Sequence, residues 1–152
     1  MKVIGVALTS LLLSAAPQPS SLPALHSVAS TRLGFTLDLP GGLAVEHCGE
    51  RACLFARSED AGAGLRVEIQ ILPQAPAIDD ELRRLAGEGW RESERRQDRA
   101  GHLMVVLDGQ RGETRVWYLH RTPGRALLAQ CTDRVSEPTT LIAICRSLRA
   151  LR

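Results

Sequence analysis

Apolar and polar residues alternate most regularly in GLRVEIQIL, residues 64–72. Leu65, Val67, Ile69 and Ile71 fall on one side, and Arg66, Glu68 and Gln70 on the other. A period of two predicts a half-buried strand, stopped here by Pro73 and Pro76. The same alternation in FTLDL, closed by Pro40-Gly41-Gly42, predicts an earlier strand over 35–39. Short strands follow over 43–47 and 53–57, and Ser58 to Gly64 reads as a turn. The period changes over residues 76–89, where Ile78, Leu82, Leu85 and Ala86 recur at helical spacing. Asp79, Asp80 and Glu81 suit the start of that helix and Gly87 and Gly89 its end.

Trp90 to Gln97 reads as an edge strand, because its charges discourage pairing with another chain. GHLMVVLDG and ETRVWYLHR predict a hairpin around Gly109 to Gly112, and residues 125–131 a last strand. The tail SEPTTLIAICRSLRAL predicts a second helix, with Ser136 as N-cap and Pro138 in the first turn. Leu141, Ile144, Cys145, Leu148 and Leu151 would share one face of it. Strands joined by tight turns, with two one-sided helices, predict an α+β fold. The expectation is a single layered domain over 33–152, its mainly antiparallel sheet covered by two helices.

The N-terminus adds a compartment. Lys2 is followed by an apolar run, Val3 to Leu13, then small residues and Pro17 and Pro19. That layout is a secretory signal peptide over 1–24, with cleavage after Ala24 or Ala29 as candidates. A buried N-terminal helix is the competing reading; the prolines and serines that follow argue for a linker. Residues 25–32 show no period and are expected to be a flexible lead-in. The apolar run is shorter than the roughly 20 residues a spanning helix needs. The mature chain is therefore expected to be periplasmic or secreted, with no membrane span.

Export decides how the four cysteines are read. An oxidising compartment pairs an even number of them, and proximity favours Cys48–Cys53 and Cys131–Cys145. Cys145 on the apolar face of the terminal helix also points toward the strand that ends at Cys131. The rival makes His47, Cys48 and Cys53 zinc ligands, but structural zinc sites show two close ligand pairs. The C-x-x-C spacing of a redox pair does not occur.

The core must be aliphatic, because Phe35, Phe55, Trp90, Trp117 and Tyr118 are the only phenylalanine, tryptophan and tyrosine residues. All but Lys2 of the 19 basic residues are arginine, and the net charge is +2. Near-neutrality argues against nucleic acid as partner, since such domains carry a basic face.

The opening strand and turn, Gly34-Phe35 to Gly42, the helix 76–89 with the meander through Tyr118, and the terminal helix with Ile144 and Ser147 together resemble the PsbP/DcrB-like group of small α+β domains. Leu43 stands where that group has an aromatic residue, and both cysteine pairs are additions. The resemblance implies a binding role, as in assembly factors, secretion adaptors and secretion-system immunity proteins, rather than chemistry.

The residues themselves bear the same expectation. No G-x-S-x-G, H-E-x-x-H or phosphate-loop pattern occurs, so no catalytic residue, metal ligand or cofactor is assigned. The run from Arg83 to Arg99 interleaves both signs and reads as a self-neutralising surface. Within it, Trp90, Arg91 and Arg95 are candidate partner contacts, as Trp and Arg are enriched at hot spots. Trp117 and Tyr118 point to opposite faces of one strand, so one of them is expected to be more exposed and to serve as a second contact. The partner would be another protein, as for an immunity or accessory protein. The alternative is a small metal-binding protein or hydrolase using His102 and His120, which sit on neighbouring predicted strands.

Overall fold

The computed structural model describes residues 23–56, 64–74 and 77–151. The segment 1–24 expected to be a signal peptide, apart from Pro23 and Ala24, and the expected turn over 58–64, apart from Gly64, lie outside the described residues.

Among the described residues, ten strands and two helices follow one another. They are β1 (Leu25–Ser30), β2 (Phe35–Pro40), β3 (Ala44–Cys48), β4 (Ala52–Ala56), β5 (Arg66–Leu72), α1 (Ile78–Gly87), β6 (Arg91–Gln97), β7 (Leu103–Asp108), β8 (Thr114–Thr122), β9 (Arg125–Asp133), α2 (Pro138–Arg146) and β10 (Arg149–Ala150). Seven strands form the main sheet in the order β3-β4-β5-β9-β8-β7-β6. A second sheet has the order β1-β2-β10. Every pairing is antiparallel.

Connectivity explains the layers. After β5 the chain must reach the far edge, where β6 lies, and α1 makes that crossing over one face, here called outer. The meander β6-β7-β8-β9 then returns to pair with β5. Leu85 of α1 is buried, and Ile78 and Leu82 pack with it on Leu103, Val105, Leu107, Trp117, Leu119 and Leu128. Gly89, at φ 91°, ends the helix with Trp90 N–H returning to the Leu85 carbonyl, a conformation that favours glycine.

The inner face carries the larger core. Val67, Ile69, Val106, Val116, Tyr118, Leu127 and Ala129 from the main sheet meet Phe35, Leu37 and Leu39 from β2 and Leu141, Ile144 and Leu148. The cover on this side is thus α2 together with a small sheet, where two helices alone were expected. Residues 25–30 are correspondingly a strand, not a flexible lead-in. β1 pairs with β2 over its full length, Val28 packs on the inner core, and the Ser27 hydroxyl donates to Asp38. Cleavage after Ala24 would leave this strand whole, whereas cleavage after Ala29 would remove it.

The end of the chain also differs from expectation. α2 stops at Arg146; Arg149 and Ala150 then pair with β2, and Leu151 is exposed. The N-cap position is Glu137, not Ser136. The buried Asp133 carboxylate does the work of ordering this turn, accepting from the N–H groups of Arg134, Val135 and Ser136 and from the Ser136 hydroxyl. At the other pole, Arg125 donates to the carbonyls of Leu33 and Gly34. Gly34 is at φ 71°, a backbone conformation that favours glycine, and a Cβ there would lie 2.7 Å from the Arg125 guanidinium, which would have to shift.

Both cysteine pairs join. Cys48–Cys53 closes the β3–β4 hairpin, with Cα atoms 4.1 Å apart. Cys131–Cys145 ties β9 to α2 beneath the inner core, with Cα atoms 6.1 Å apart. Closing its loop stabilises by about 3 kcal/mol in the chain-entropy account. The Cys131→Ala/Cys145→Ala double variant is therefore expected to lose about 3 kcal/mol in urea denaturation. An unchanged midpoint and slope would contradict the role of this bond.

Candidate functional site

The mixed-charge run folds as a set of local pairs. Arg84 bridges Glu81 and Glu88 along α1, and Arg95 of β6 donates to Glu92 and to Asp79. The Arg84 bond holds the Glu81 carboxyl below its ordinary range. Arg91 remains largely in solvent, 83% exposed and 3.9 Å from Asp108. Exposed pairs of this kind contribute little to stability but leave few free charges.

Trp117 and Tyr118 do point to opposite faces, but neither is exposed. Trp117 lies in the outer core and Tyr118 in the inner one, at 4% and 8% exposure. The expectation that one would stand free for a partner fails because both faces of β8 are covered. Trp90 is half-buried and packs against the outer core. The Arg115 guanidinium lies over its ring, 4.2 Å from the centroid.

Arg115 was not singled out by the sequence pattern, yet it lines two adjoining depressions in the outer face. α1 shields the β7 side of that face and leaves the β5 side open. Register places Arg66, Thr132 and Arg115 in one row across β5, β9 and β8. The next row holds Glu68, Gln130 and Trp117. One depression, of about 690 Å³, is lined by Leu72, Ile78, Trp117, Leu128, Gln130 and Arg115 among others. The other, of about 310 Å³, includes Arg66, Glu68, Thr132 and again Gln130 and Arg115. Burial lowers the Arg115 pKa, and its Nε is enclosed without a hydrogen-bond partner among the described residues. The Trp117 indole donates to Gln130 Oε1 at 3.0 Å, which fixes that amide.

The histidine pair is brought together on the opposite side. His102 and His120 stack with centroids 4.2 Å apart and planes at 16°. Arg121 N–H donates to His102 Nδ1 at 3.0 Å. The rings line an open groove of about 770 Å³ with Tyr118, Asp38, Asp98, Arg146 and Arg149. Burial, then the neighbouring His102 and Arg149, lower the His120 pKa, and burial raises that of Tyr118. Parallel rings aim their lone pairs side by side, so one must turn before both reach a single ion. Among the described residues no group of three or more His, Cys, Asp and Glu side chains is placed to hold a metal. His26 and His47 are exposed on β1 and β3.

The architecture is PsbP-like. It is similar to the solution structure of cyanobacterial PsbP from Synechocystis sp. PCC 6803, with 13% identity, 90% of this chain and 98% of that one covered, and a TM-score of 0.55. A crystal structure from Bacteroides thetaiotaomicron is 15% identical over 83% of this chain and 48% of its own, with a TM-score of 0.48. A protein of unknown function from Pseudomonas aeruginosa is 14% identical over 77% and 85%, with a TM-score of 0.42. At these identities the likeness is one of fold. No protein-family model matches the chain, and no curated protein sequence is similar to it.

A His120 pKa below its unfolded value makes stability depend on pH. The unfolded chain takes up this proton near pH 6.5 and the folded chain only lower, so acid favours unfolding. The stability is present above about pH 6.5 and is lost as pH falls, by at most about 1.4 kcal/mol per pH unit for one proton. His120→Gln is expected to flatten the fall in urea midpoint between pH 7.5 and 5. An unchanged slope would show that His120 is not the group responsible.

Proposed function

We propose that this chain is an exported, non-catalytic protein-binding domain, of the kind that accessory and immunity proteins of secretion systems provide. The observation that carries the reading is the open half of the outer face. It presents a fixed amide, an aromatic floor and a recessed guanidinium with hydrogen-bonding capacity to spare, all on a rigid sheet. Two disulfides support the exported compartment, where such bonds persist. Among the described residues no helix is long and apolar enough to cross a membrane.

The alternative, a metal-binding protein or hydrolase using His102 and His120, is supported by the proximity of the two rings. Their parallel setting weighs against chelation. Titration of the oxidised protein with zinc, followed by calorimetry, is expected to show no stoichiometric site that depends on both histidines. Micromolar binding lost in both His102→Ala and His120→Ala would favour the alternative.

The binding reading is tested by affinity capture on the oxidised chain from a cell-envelope extract, followed by reconstitution from purified components. A single protein that co-elutes with the chain at fixed stoichiometry is expected. Failure of every captured protein to re-form a complex with the pure chain would overturn the reading.

A further inference from the structure

We propose that the outer-face groove receives the C-terminal carboxylate of an extended peptide segment of the protein partner, with Arg115 as the anchor. This inference rests on the binding-domain reading and names the chemistry its site would take.

Arginine carries five N–H donors in a planar fork and is always ionised, so a half-buried guanidinium calls for an acceptor. No carboxylate among the described residues lies within ion-pair distance of Arg115; every one nearby has another partner. Glu81 and Glu88 are held by Arg84, Glu113 by Arg134, and Glu68 accepts from Gln70. Stacking on Trp90 fixes the plane of the fork without using its donors. Its Nε is already out of water and unpaired. Such a group forms charge-assisted, bidentate bonds with a carboxylate.

Geometry adds a second cation. Arg66 and Arg115 flank Thr132 in one cross-strand row, two strands apart, so their backbones are about 10 Å from each other. The Arg66 side chain is 42% exposed and among the described residues pairs only with Glu46, loosely, at 3.7 Å. An anion above Thr132 would sit between the two guanidiniums, with Glu68, which accepts from Gln70, in the next row of the same depression.

The polar groups beside this row match a peptide better than a bare acid. Gln130 uses its Oε1 on the Trp117 indole and so presents its amide N–H groups. Gln70 uses its Nε2 on Glu68 and so presents its carbonyl oxygen. A donor and an acceptor side by side are the complement of a peptide group. Gln130 lies two residues along β9 from Thr132, about 7 Å, the distance from a terminal carboxylate to the peptide bonds just before it. Leu72, Ile78, Trp117 and Leu128 then supply an apolar floor for the side chains of that segment.

Trp90 and Trp117 are the only tryptophans; Trp117 lines this groove and Trp90 lies against its Arg115, so intrinsic emission reports on it. The oxidised full chain is titrated with two pools of tryptophan-free, N-acetylated hexapeptides of identical apolar-rich sequences, one ending in free carboxylates and the other in amides. The free acids are expected to shift the emission saturably and to bind about tenfold or more tightly than the amides. Arg115→Gln is expected to abolish that preference. Arg66→Gln, which leaves the stack on Trp90 untouched, is expected to weaken the acids several-fold while retaining the native circular dichroism spectrum. Octanoate, which has the carboxylate and an apolar body but no peptide group, is expected to bind more weakly than the acid pool. Equal binding of acids and amides, an undiminished preference in Arg115→Gln, octanoate equal to the peptides, or no response at millimolar concentration would each overturn the proposal. A reconstituted partner that binds Arg115→Gln as tightly as wild type would also overturn it, and would leave the binding-domain reading standing.

Discussion

Burial of β8 and β9 on both faces is the constraint from which the rest of this structure follows. Val116 and Tyr118 are buried on one side, and Trp117 and Leu119 on the other. Leu127 and Leu128 divide in the same way. Exposing either set would forfeit roughly 1.5–3 kcal/mol for each large side chain. The sheet therefore needs two covers. The inner cover is α2, held to β9 through Cys131–Cys145, together with the small sheet of β1, β2 and β10. Among the described residues the outer cover is α1 alone, and a helix of ten residues is only about 15 Å long.

That shortfall leaves part of the outer face uncovered among the described residues. Under α1 the outer face is apolar; beyond it, the face turns polar, with Arg66, Glu68, Gln70, Gln130 and Thr132 in successive rows. Arg115 stands at the boundary, close enough to α1 to be desolvated and too far across to gain a carboxylate. The carboxylates around it, Glu68, Glu81, Glu88 and Glu113, each have another partner, so Arg115 keeps unused donors; His120 Nδ1, on the other face, is likewise enclosed without a partner among the described residues. The histidine groove differs in kind. There the polar groups are rich, but the two rings stack flat and His102 is tied to the Arg121 amide.

Elements with strong local periods were readable in the chain. GLRVEIQIL is a strand, Ile78 and Leu85 do face the sheet, and Trp90 to Gln97 contains an edge strand. The cysteine pairing also followed from spacing and from the expected compartment. What escaped depends on distant partners. LHSVAS has no alternation of its own and becomes β1 because β2 offers it an edge and Val28 a place in the core. Arg149 and Ala150 continue a helical pattern, yet they leave the helix to pair with β2. Asp133 gave no cap signal because it acts from the end of a strand. Arg66 and Arg115 are far apart in sequence, and only the β5-β9-β8 order brings them into one row. The burial of both Trp117 and Tyr118 likewise depended on a second cover that no local pattern announces.

The central claim is that an uncompensated guanidinium lies against the groove-side tryptophan, and collisional quenching with charged probes tests it most directly. Anionic iodide gathers at a free cation, and caesium avoids it. With the quenching by each ion scaled to its quenching of free N-acetyltryptophanamide, iodide is predicted to act more strongly than caesium on the tryptophan emission of the oxidised chain at equal ionic strength, with the difference vanishing in Arg115→Gln. Equal quenching by the two ions, or an iodide preference that survives that substitution, would contradict the account.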